Sequence, residues 1–253
     1  MSTLRQQMIE AMCQRGFSKR THKSYLEVVR SFALYFNQSP DKIQARQLQD
    51  YFDYLVQQRG LGGNSCRLHL HGLRFFYLHV LNRPEFDIPI VFPKKKERIP
   101  ELLTRTEVQQ IIEACPNDKH RVMLLTCYGC GLRVSELVQI KIQHIDGERQ
   151  LLRIEQGKGS KDRMVVISPS LLQRLREYWH SHHPKYWLFP NANTPKLHLS
   201  VTTIQKQFRR AKQATGITKA GGIHALRHAY ATHQLENGIA ITQLKQQLGH
   251  KNL

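Results

Sequence analysis

Hydrophobic positions in the first third of the chain recur at helical spacing. Within residues 18–37 the apolar side chains fall on one face of a 3.6-residue period, at Tyr25, Val28, Val29, Phe32 and Phe36. Similar patterns precede and follow this segment, and the stretches RGLGG and RPEFDIP interrupt them. The pattern therefore predicts a bundle of four helices, at residues 4–17, 18–37, 45–58 and 64–81.

The helical pattern stops at residues 84–100. This stretch contains four prolines and a run of three lysines at 94–96. Such a composition favours an extended linker between domains. We therefore predict a helical domain at residues 1–83, a linker at 84–100 and a second domain at 101–253.

The second domain combines helices with one β-hairpin. Residues 151–155 and 163–168 are rich in β-branched residues and flank the turn sequence QGKGSKD, which predicts an antiparallel hairpin. Thr104 and Glu107 have the spacing of a capping box at the start of a helix. Helices are predicted near residues 104–115, 119–128, 133–140, 170–180, 200–215, 224–237 and 241–248. The fold class is thus mainly α, with a small antiparallel β-hairpin in the second domain.

The charge balance of the chain is strongly basic. Its 38 Lys and Arg against 19 Asp and Glu give a formal charge of +19. Both parts share the excess, with 16 basic and 8 acidic side chains in residues 1–98, and 22 and 11 in residues 99–253. This balance favours a polyanion such as DNA as partner over a basic protein without one. The lysines at 94–96 fit either a solvated linker or one that lies along DNA.

No apolar run approaches the roughly 18 residues that cross a bilayer, and the N-terminus lacks the apolar core of a secretory signal. We therefore expect a cytoplasmic protein without a membrane partner. The five cysteines are odd in number and scattered, which argues against a disulfide framework. Cys127 and Cys130 form a CxxC without a second pair and lie in an apolar helical pattern, so we expect ordinary buried cysteines.

One predicted helix concentrates imidazoles and a guanidinium. The stretch GGIHALRHAYATHQLENG at 221–238 carries His224, Arg227, His228 and His233. A metal site, a phosphate site and a basic helix of no special meaning are the three possibilities. His224 and His228 are spaced i, i+4, but the Glu of an HExxH site is absent and the charge of Arg227 would repel a cation.

Four short motifs of the second domain follow one another in a recognisable order. They are GLRVSEL at 131–137, GKGSKDR at 157–163, HALRH at 224–228 and LGH at 248–250. Each alone is weak, since a GKG sequence is often only a tight turn. In this order they resemble the tyrosine recombinases, or phage-type integrases, in particular the accessory integrases of mobile elements and the recombinases that resolve chromosome dimers. The resemblance extends to a helical first domain, and it implies a two-domain DNA clamp.

The resemblance implies phosphoryl transfer without metal or nucleotide cofactor. In this family a tyrosine attacks the scissile phosphate, forms a 3′-phosphotyrosyl link, and a freed 5′-hydroxyl reverses it. Arg133 and Arg227 match the two arginines that bind the non-bridging oxygens, a task that suits planar guanidinium groups. Lys158 matches the hairpin lysine that protonates the leaving oxygen, His224 matches a residue that assists proton transfer, and His250 matches a residue that hydrogen-bonds the phosphate.

Relatives continue past the LGH motif to the attacking tyrosine, whereas this sequence ends at Leu253. We interpret Tyr128 and Tyr230 as packing residues, so we expect the chain as given to bind double-stranded DNA without cleaving it in cis. A shortened chain, a gene cut short, and completion by another polypeptide remain alternatives. In a completed chain we expect self-association on DNA and no small-molecule substrate. A non-enzymatic DNA-binding relative is the alternative function; a type IB topoisomerase shares the chemistry but fits the compact first domain and the LGH motif less well.

Overall fold

The computed structural model describes residues 3–87, 101–155 and 162–249. The chain divides into two compact units, Met1–Arg98 and Ile99–Leu253. In the first unit the described elements are α1 (Thr3–Gln14), α2 (Lys19–Phe36), α3 (Gln47–Gln57) and α4 (Gly63–His79), with short 3₁₀ turns at Pro40–Lys42 and Pro84–Phe86. These correspond to the four helices predicted from the hydrophobic pattern.

Helix α2 packs against α1 and α4, and local chemistry sets both of its ends. The Ser18 hydroxyl accepts a hydrogen bond from the backbone N–H of Thr21 (3.2 Å), which satisfies one of the unpaired N–H groups of the first turn. Asn37 ends the helix in the left-handed conformation with φ of 46°. Helix α4 packs closely against α2 at Gly72, where a Cβ atom would lie 3.0 Å from Val28 Cγ1.

The first unit extends beyond the boundary predicted at residue 83. Phe86 is 2% exposed, and its ring stacks on Tyr77 at 3.6 Å between centroids. The guanidinium of Arg83 donates to the carbonyl of Asp41 at 2.6 Å. The start of the predicted linker is therefore packed on the helical bundle, and residues 88–100 lie outside the described part of the chain.

The second unit is helical around a small antiparallel sheet. Its elements are α5 (Arg105–Glu113), α6 (Asp118–Gly129), α7 (Val134–Val138), a 3₁₀ turn (Ile142–His144), β1 (Ile145–Asp146), β2 (Leu151–Ile154), β3 (Arg163–Val166), α8 (Pro169–His182), α9 (Val201–Ala214), α10 (His224–Glu236) and α11 (Ile241–Leu248). The strands lie in the order β1–β2–β3. The mainly α prediction with an antiparallel hairpin is confirmed; the short strand β1 was not predicted.

Helix α6 forms the middle of this second core. Its residues Val122, Met123, Leu124 and Cys127 are at most 1% exposed. The hairpin adds alternate residues to the same core, because Leu152 and its cross-strand partner Val165 are buried. Among the described residues no helix combines the length and apolar character needed to cross a bilayer.

Two local predictions for this unit are confirmed by hydrogen bonds and burial. Thr104 and Glu107 form the predicted capping box, with N–H to carboxylate and N–H to hydroxyl distances of 2.7 and 3.2 Å. Cys127 and Cys130 are buried free cysteines, and burial raises the pKa of both thiols to about 12.

Candidate active site

A tight turn after α6 places Arg133 at the start of α7. Gly131 makes this turn with φ of 57°, and a Cβ atom there would lie 2.4 Å from Tyr230 Cδ1. Only glycine fits, because both the backbone conformation and the space exclude a side chain. Arg133 then precedes the first turn of α7, and its backbone N–H donates to Glu136 Oε2 at 2.9 Å.

The buried carboxylate of Glu136 lies at the centre of the site. Arg133 Nη1 donates to Glu136 Oε1 at 2.6 Å, and Arg163 donates to both carboxylate oxygens at 2.8 Å each. Arg227 Nη1 lies 3.8 Å from Glu136 Oε2. Burial alone would raise the pKa of Glu136, but the hydrogen bonds from Arg163 and from the Arg133 backbone outweigh it and lower the pKa to about 2. The carboxylate is therefore charged at neutral pH.

Arg227 reaches this cluster from α10 and is 7% exposed. Its Nη1 donates to the carbonyl of Gly131 at 2.7 Å and its Nη2 to the carbonyl of Leu248 at 2.5 Å. Burial, together with the nearby charge of Arg133, lowers the pKa of Arg227 to about 10. The guanidinium thus remains a cation at neutral pH although it is almost wholly removed from solvent.

Three arginines also hold the end of α11 through consecutive backbone carbonyls. Arg163 Nε donates to the carbonyl of Gln247 at 2.7 Å, and Arg133 Nη2 lies 3.4 Å from the carbonyl of Gly249. The carbonyl of Leu248 lies between these two in sequence and accepts from Arg227. Cations at a helix C-terminus satisfy unpaired carbonyls and interact favourably with the helix dipole. The arginine cluster therefore joins α7, β3, α10 and α11.

His224 is the first residue of α10, one turn before Arg227, and is solvent exposed. Partial loss of hydration lowers the pKa of His224, and the neighbouring charges of His228 and Arg227 lower it further. The imidazole is therefore mainly neutral at pH 7, the form that can accept a proton.

The structure brings together three of the five residues predicted for the site: Arg133, Arg227 and His224. Lys158 and His250 lie outside the described residues, which omit 156–161 and 250–253. His233 is separate from the cluster; it is 5% exposed and its Nδ1 lies 2.8 Å from the Tyr128 hydroxyl. In the described part of the chain, no group of three or more His, Cys, Asp or Glu side chains is placed to hold a metal ion.

Two residues of the cluster, Glu136 and Arg163, were assigned no role from the sequence. Glu136 stands three residues after Arg133, the spacing at which a side chain reaches back to the start of a helix. This spacing is a local signal that identifies Glu136 as a partner of Arg133. Arg163 closes the GKGSKDR motif, but its contact with Glu136 spans 27 residues and no local pattern reveals it.

Comparison with known families identifies the class of protein. Residues 101–253 match the model described as phage integrase family, and residues 4–85 match the one described as phage integrase, N-terminal SAM-like domain. Because the first match covers more than half of the chain, the chain belongs to the phage integrase family, that of the tyrosine recombinases.

Individual relatives agree with this assignment. The chain is 39% identical to "Putative integrase/recombinase y4qK" of Sinorhizobium fredii, over 100% of this chain and 82% of that protein. It is 32% identical to "Tyrosine recombinase XerA" of Thermococcus onnurineus, over 94% of this chain and 83% of that protein.

Solved structures have the same fold. A crystal structure of XerA recombinase matches 98% of this chain and 89% of its own, with 26% identity and a TM-score of 0.56. A lambda integrase dimer bound to a COC' core site matches 99% and 94%, with 18% identity and a TM-score of 0.80. At 18% identity the second likeness is one of fold.

Proposed function

We propose that the chain acts as a site-specific DNA recombinase by metal-independent phosphoryl transfer through a 3′-phosphotyrosyl intermediate. The observation that carries the proposal is the meeting of Arg133 and Arg227, from two different helices, at the single carboxylate of Glu136. Both arginines occupy the positions that match the family's phosphate-binding residues. Their planar donors suit the non-bridging oxygens of a phosphodiester.

The net charge of the cluster supports stabilisation of a transition state. Arg133, Arg163 and Arg227 are cations, and Glu136 is one anion, so the cluster has an excess of two positive charges. A phosphodiester carries one negative charge, whereas a pentavalent phosphorane formed from it carries two. A preformed, largely buried cationic site therefore stabilises the phosphorane more than the ground state.

Proton transfers are assigned to residues that match the family motifs. His224, whose lowered pKa favours the neutral imidazole, assists removal of the proton from the attacking tyrosine hydroxyl. Lys158 is proposed to protonate the leaving 5′-oxygen and His250 to hydrogen-bond the phosphate. These last two assignments rest on the sequence motifs.

The attacking tyrosine is assigned to none of the four tyrosines of the second unit. Tyr178 and Tyr230 are 1% and 4% exposed, and burial raises the pKa of both. The Tyr230 hydroxyl donates to Gln247 Oε1 at 2.5 Å, and that of Tyr128 is hydrogen-bonded with His233. Tyr186 is 52% exposed but belongs to none of the motifs that match the family. Because the family resemblance places the attacking tyrosine after the LGH motif, we propose that the nucleophile is not among residues 1–253.

Double-stranded DNA is the proposed substrate and partner. Each unit has about twice as many basic as acidic side chains, which favours binding to the phosphate backbone. Among structures with the same fold are XerH recombinase bound to its difH substrate and the lambda integrase dimer on its core site. By analogy with the lambda integrase dimer we propose self-association on DNA. A cytoplasmic location stays a prediction from the sequence.

The test is a covalent-adduct assay. DNA duplexes that bind the protein are first selected from a randomised library. Each selected duplex is then nicked next to one phosphate at a time, so that a covalent intermediate is trapped. The nicked duplexes are incubated with protein from the native gene, in EDTA to remove metal ions. We expect a protein–DNA adduct on denaturing gels. Arg227→Ala should reduce adduct formation by about 100-fold or more, because it removes a donor to the transition state. Arg149→Ala, which removes an arginine whose side chain is 78% exposed, is the control and should react normally.

A second candidate is a DNA-binding protein that does not cleave its site. The hydrogen bonds and burial of Tyr128, Tyr178 and Tyr230 favour it, because they leave these tyrosines unsuited to attack. It predicts selective duplex binding with no adduct at any nick position. An adduct that requires magnesium, or equal adduct formation by the Arg227 variant, would contradict the recombinase mechanism.

A further inference from the structure

Arg163 is an arginine of the described cluster whose side chain binds both carboxylate oxygens of Glu136. It begins β3, and its side chain is only 9% exposed. Two of its N–H groups bind the two oxygens of Glu136, and its Nε binds the carbonyl of Gln247. The family motifs match Arg133 and Arg227 to phosphate-binding arginines and assign no such role to Arg163.

We propose that Arg163 is a positioning residue that holds Glu136 in a two-pronged ion pair and thereby fixes the orientation in which Arg133 and Arg227 meet the phosphate. The inference rests on the proposed function, because it concerns the same phosphate site. It assigns Arg163 no contact with the substrate.

The argument starts from what a buried carboxylate needs. Glu136 is 7% exposed, and a charge removed from water requires ion pairs and hydrogen bonds to compensate for lost hydration. Arg163 supplies two of these at 2.8 Å each. Without it, Glu136 would retain the short contact to Arg133 and the 3.8 Å contact to Arg227. The carboxylate would then lose two of the contacts that fix its orientation, and the two guanidinium groups that it faces would lose a fixed reference point.

The second step concerns the elements that Arg163 joins. Its contacts connect the first residue of β3 with α7 through Glu136 and with the end of α11 through Gln247. The end of α11 also accepts from Arg227 at Leu248 and faces Arg133 at Gly249. Arg163 thus fixes both the carboxylate and the backbone against which the other two guanidinium groups are oriented. Groups that bind a transition state must be held in place in advance.

The experiment uses tungstate, a tetrahedral oxyanion, as the probe of the phosphate site. Its affinity for the full chain is measured by titration calorimetry for the unaltered protein and for Arg227→Ala, Arg163→Met and Arg163→Lys. Arg153→Met is the matched control, since Arg153 lies on the partner strand and its side chain is 54% exposed. Tryptophan fluorescence verifies that each variant is folded.

We expect Arg227→Ala to abolish the specific binding of tungstate. Arg163→Met should weaken it about tenfold, the effect of losing charge-assisted hydrogen bonds that orient the site. Arg163→Lys should weaken it less, because it keeps the charge but loses the two-pronged contact. Arg153→Met should bind normally. In a Glu136→Gln background, Arg163→Met should have no additional effect, because Arg163 acts through Glu136.

Three results would overturn the inference. If Arg163→Met binds tungstate with unaltered affinity while Arg227→Ala does not bind it, the phosphate site is supported and Arg163 has no positioning role. Full affinity in Arg163→Lys reduces that role to charge alone. If Arg163→Met lowers the tungstate affinity of Glu136→Gln as much as that of the unaltered protein, Arg163 contacts the anion directly.

If Arg227→Ala binds tungstate as tightly as the unaltered protein, the proposed phosphate site itself is wrong. If Arg163→Met does not fold, the tungstate affinities of Arg163→Lys and of the double variant Arg163→Lys with Glu136→Gln test the positioning role instead.

Discussion

The charge of Glu136 should stabilise the second unit in a pH-dependent way that Glu136→Gln removes. The arginines lower the pKa of this carboxyl from 4.5 to about 2. At roughly 1.4 kcal/mol per pKa unit, the shift corresponds to about 3 kcal/mol in the free energy of unfolding. Because the pKa in the folded state is the lower one, this stabilisation is complete well above pH 4.5 and is lost as the pH falls towards 2.

Both tryptophans of the chain, Trp179 and Trp187, belong to the second unit, so their fluorescence reports its unfolding. Urea unfolding followed in this way should show Glu136→Gln less stable by about 3 kcal/mol at pH 7, with the difference smaller by about 2 kcal/mol at pH 3. Glu148→Gln, at an exposed carboxylate, should differ little from the unaltered protein at either pH. A deficit of Glu136→Gln that is constant across this range would refute the assignment of the stabilisation to the charge.

Three further predictions concern other parts of the molecule. Gly131→Ala should destabilise the second unit by on the order of 3 kcal/mol in the same assay, because it combines a left-handed backbone with overlap on Tyr230. Gly216→Ala, at φ of 70° with open space, should cost about 1 kcal/mol, and equal costs would contradict the packing argument. Cys13 is the one exposed cysteine of the five and should react rapidly with a thiol reagent, whereas the others should react only on unfolding; fast reaction of Cys127 would contradict its burial. The affinity for duplex DNA should fall on the order of 1,000-fold between 50 and 200 mM salt, and a flat salt response would argue against phosphate contacts by the basic side chains.

The parts of the fold that the sequence predicts well are those set by neighbouring residues. Apolar spacing located α2 within residues 18–37, and its Ser18 cap is formed as the side-chain type suggests. The capping box at Thr104 is equally local. Strand β1 was missed because its two residues are defined by pairing with β2 and not by a pattern of their own.

The candidate site divides in the same way. The order of the motifs predicts Arg133, His224 and Arg227 as site residues, and their role at a phosphate stays a prediction. The function of Arg163 depends on contacts with α7 and α11 that are distant in sequence, and nothing in its neighbours distinguishes it from a surface arginine of a hairpin. Only the three-dimensional contacts show that Glu136 is the carboxylate on which the three arginines converge.

The attachment of the α11 carbonyls to three arginines affects how relatives of this protein diverge. Selection for stability alone would preserve Arg133, Arg163 and Arg227 in a lineage that had abandoned recombination, because the last described helix depends on them. Stability constrains His224 less, because it is exposed at the first residue of α10. In a gene that no longer encodes an active recombinase, His224 should therefore be replaced before the arginines. Replacement of His224 in a relative should then indicate loss of the reaction more reliably than the state of the three arginines.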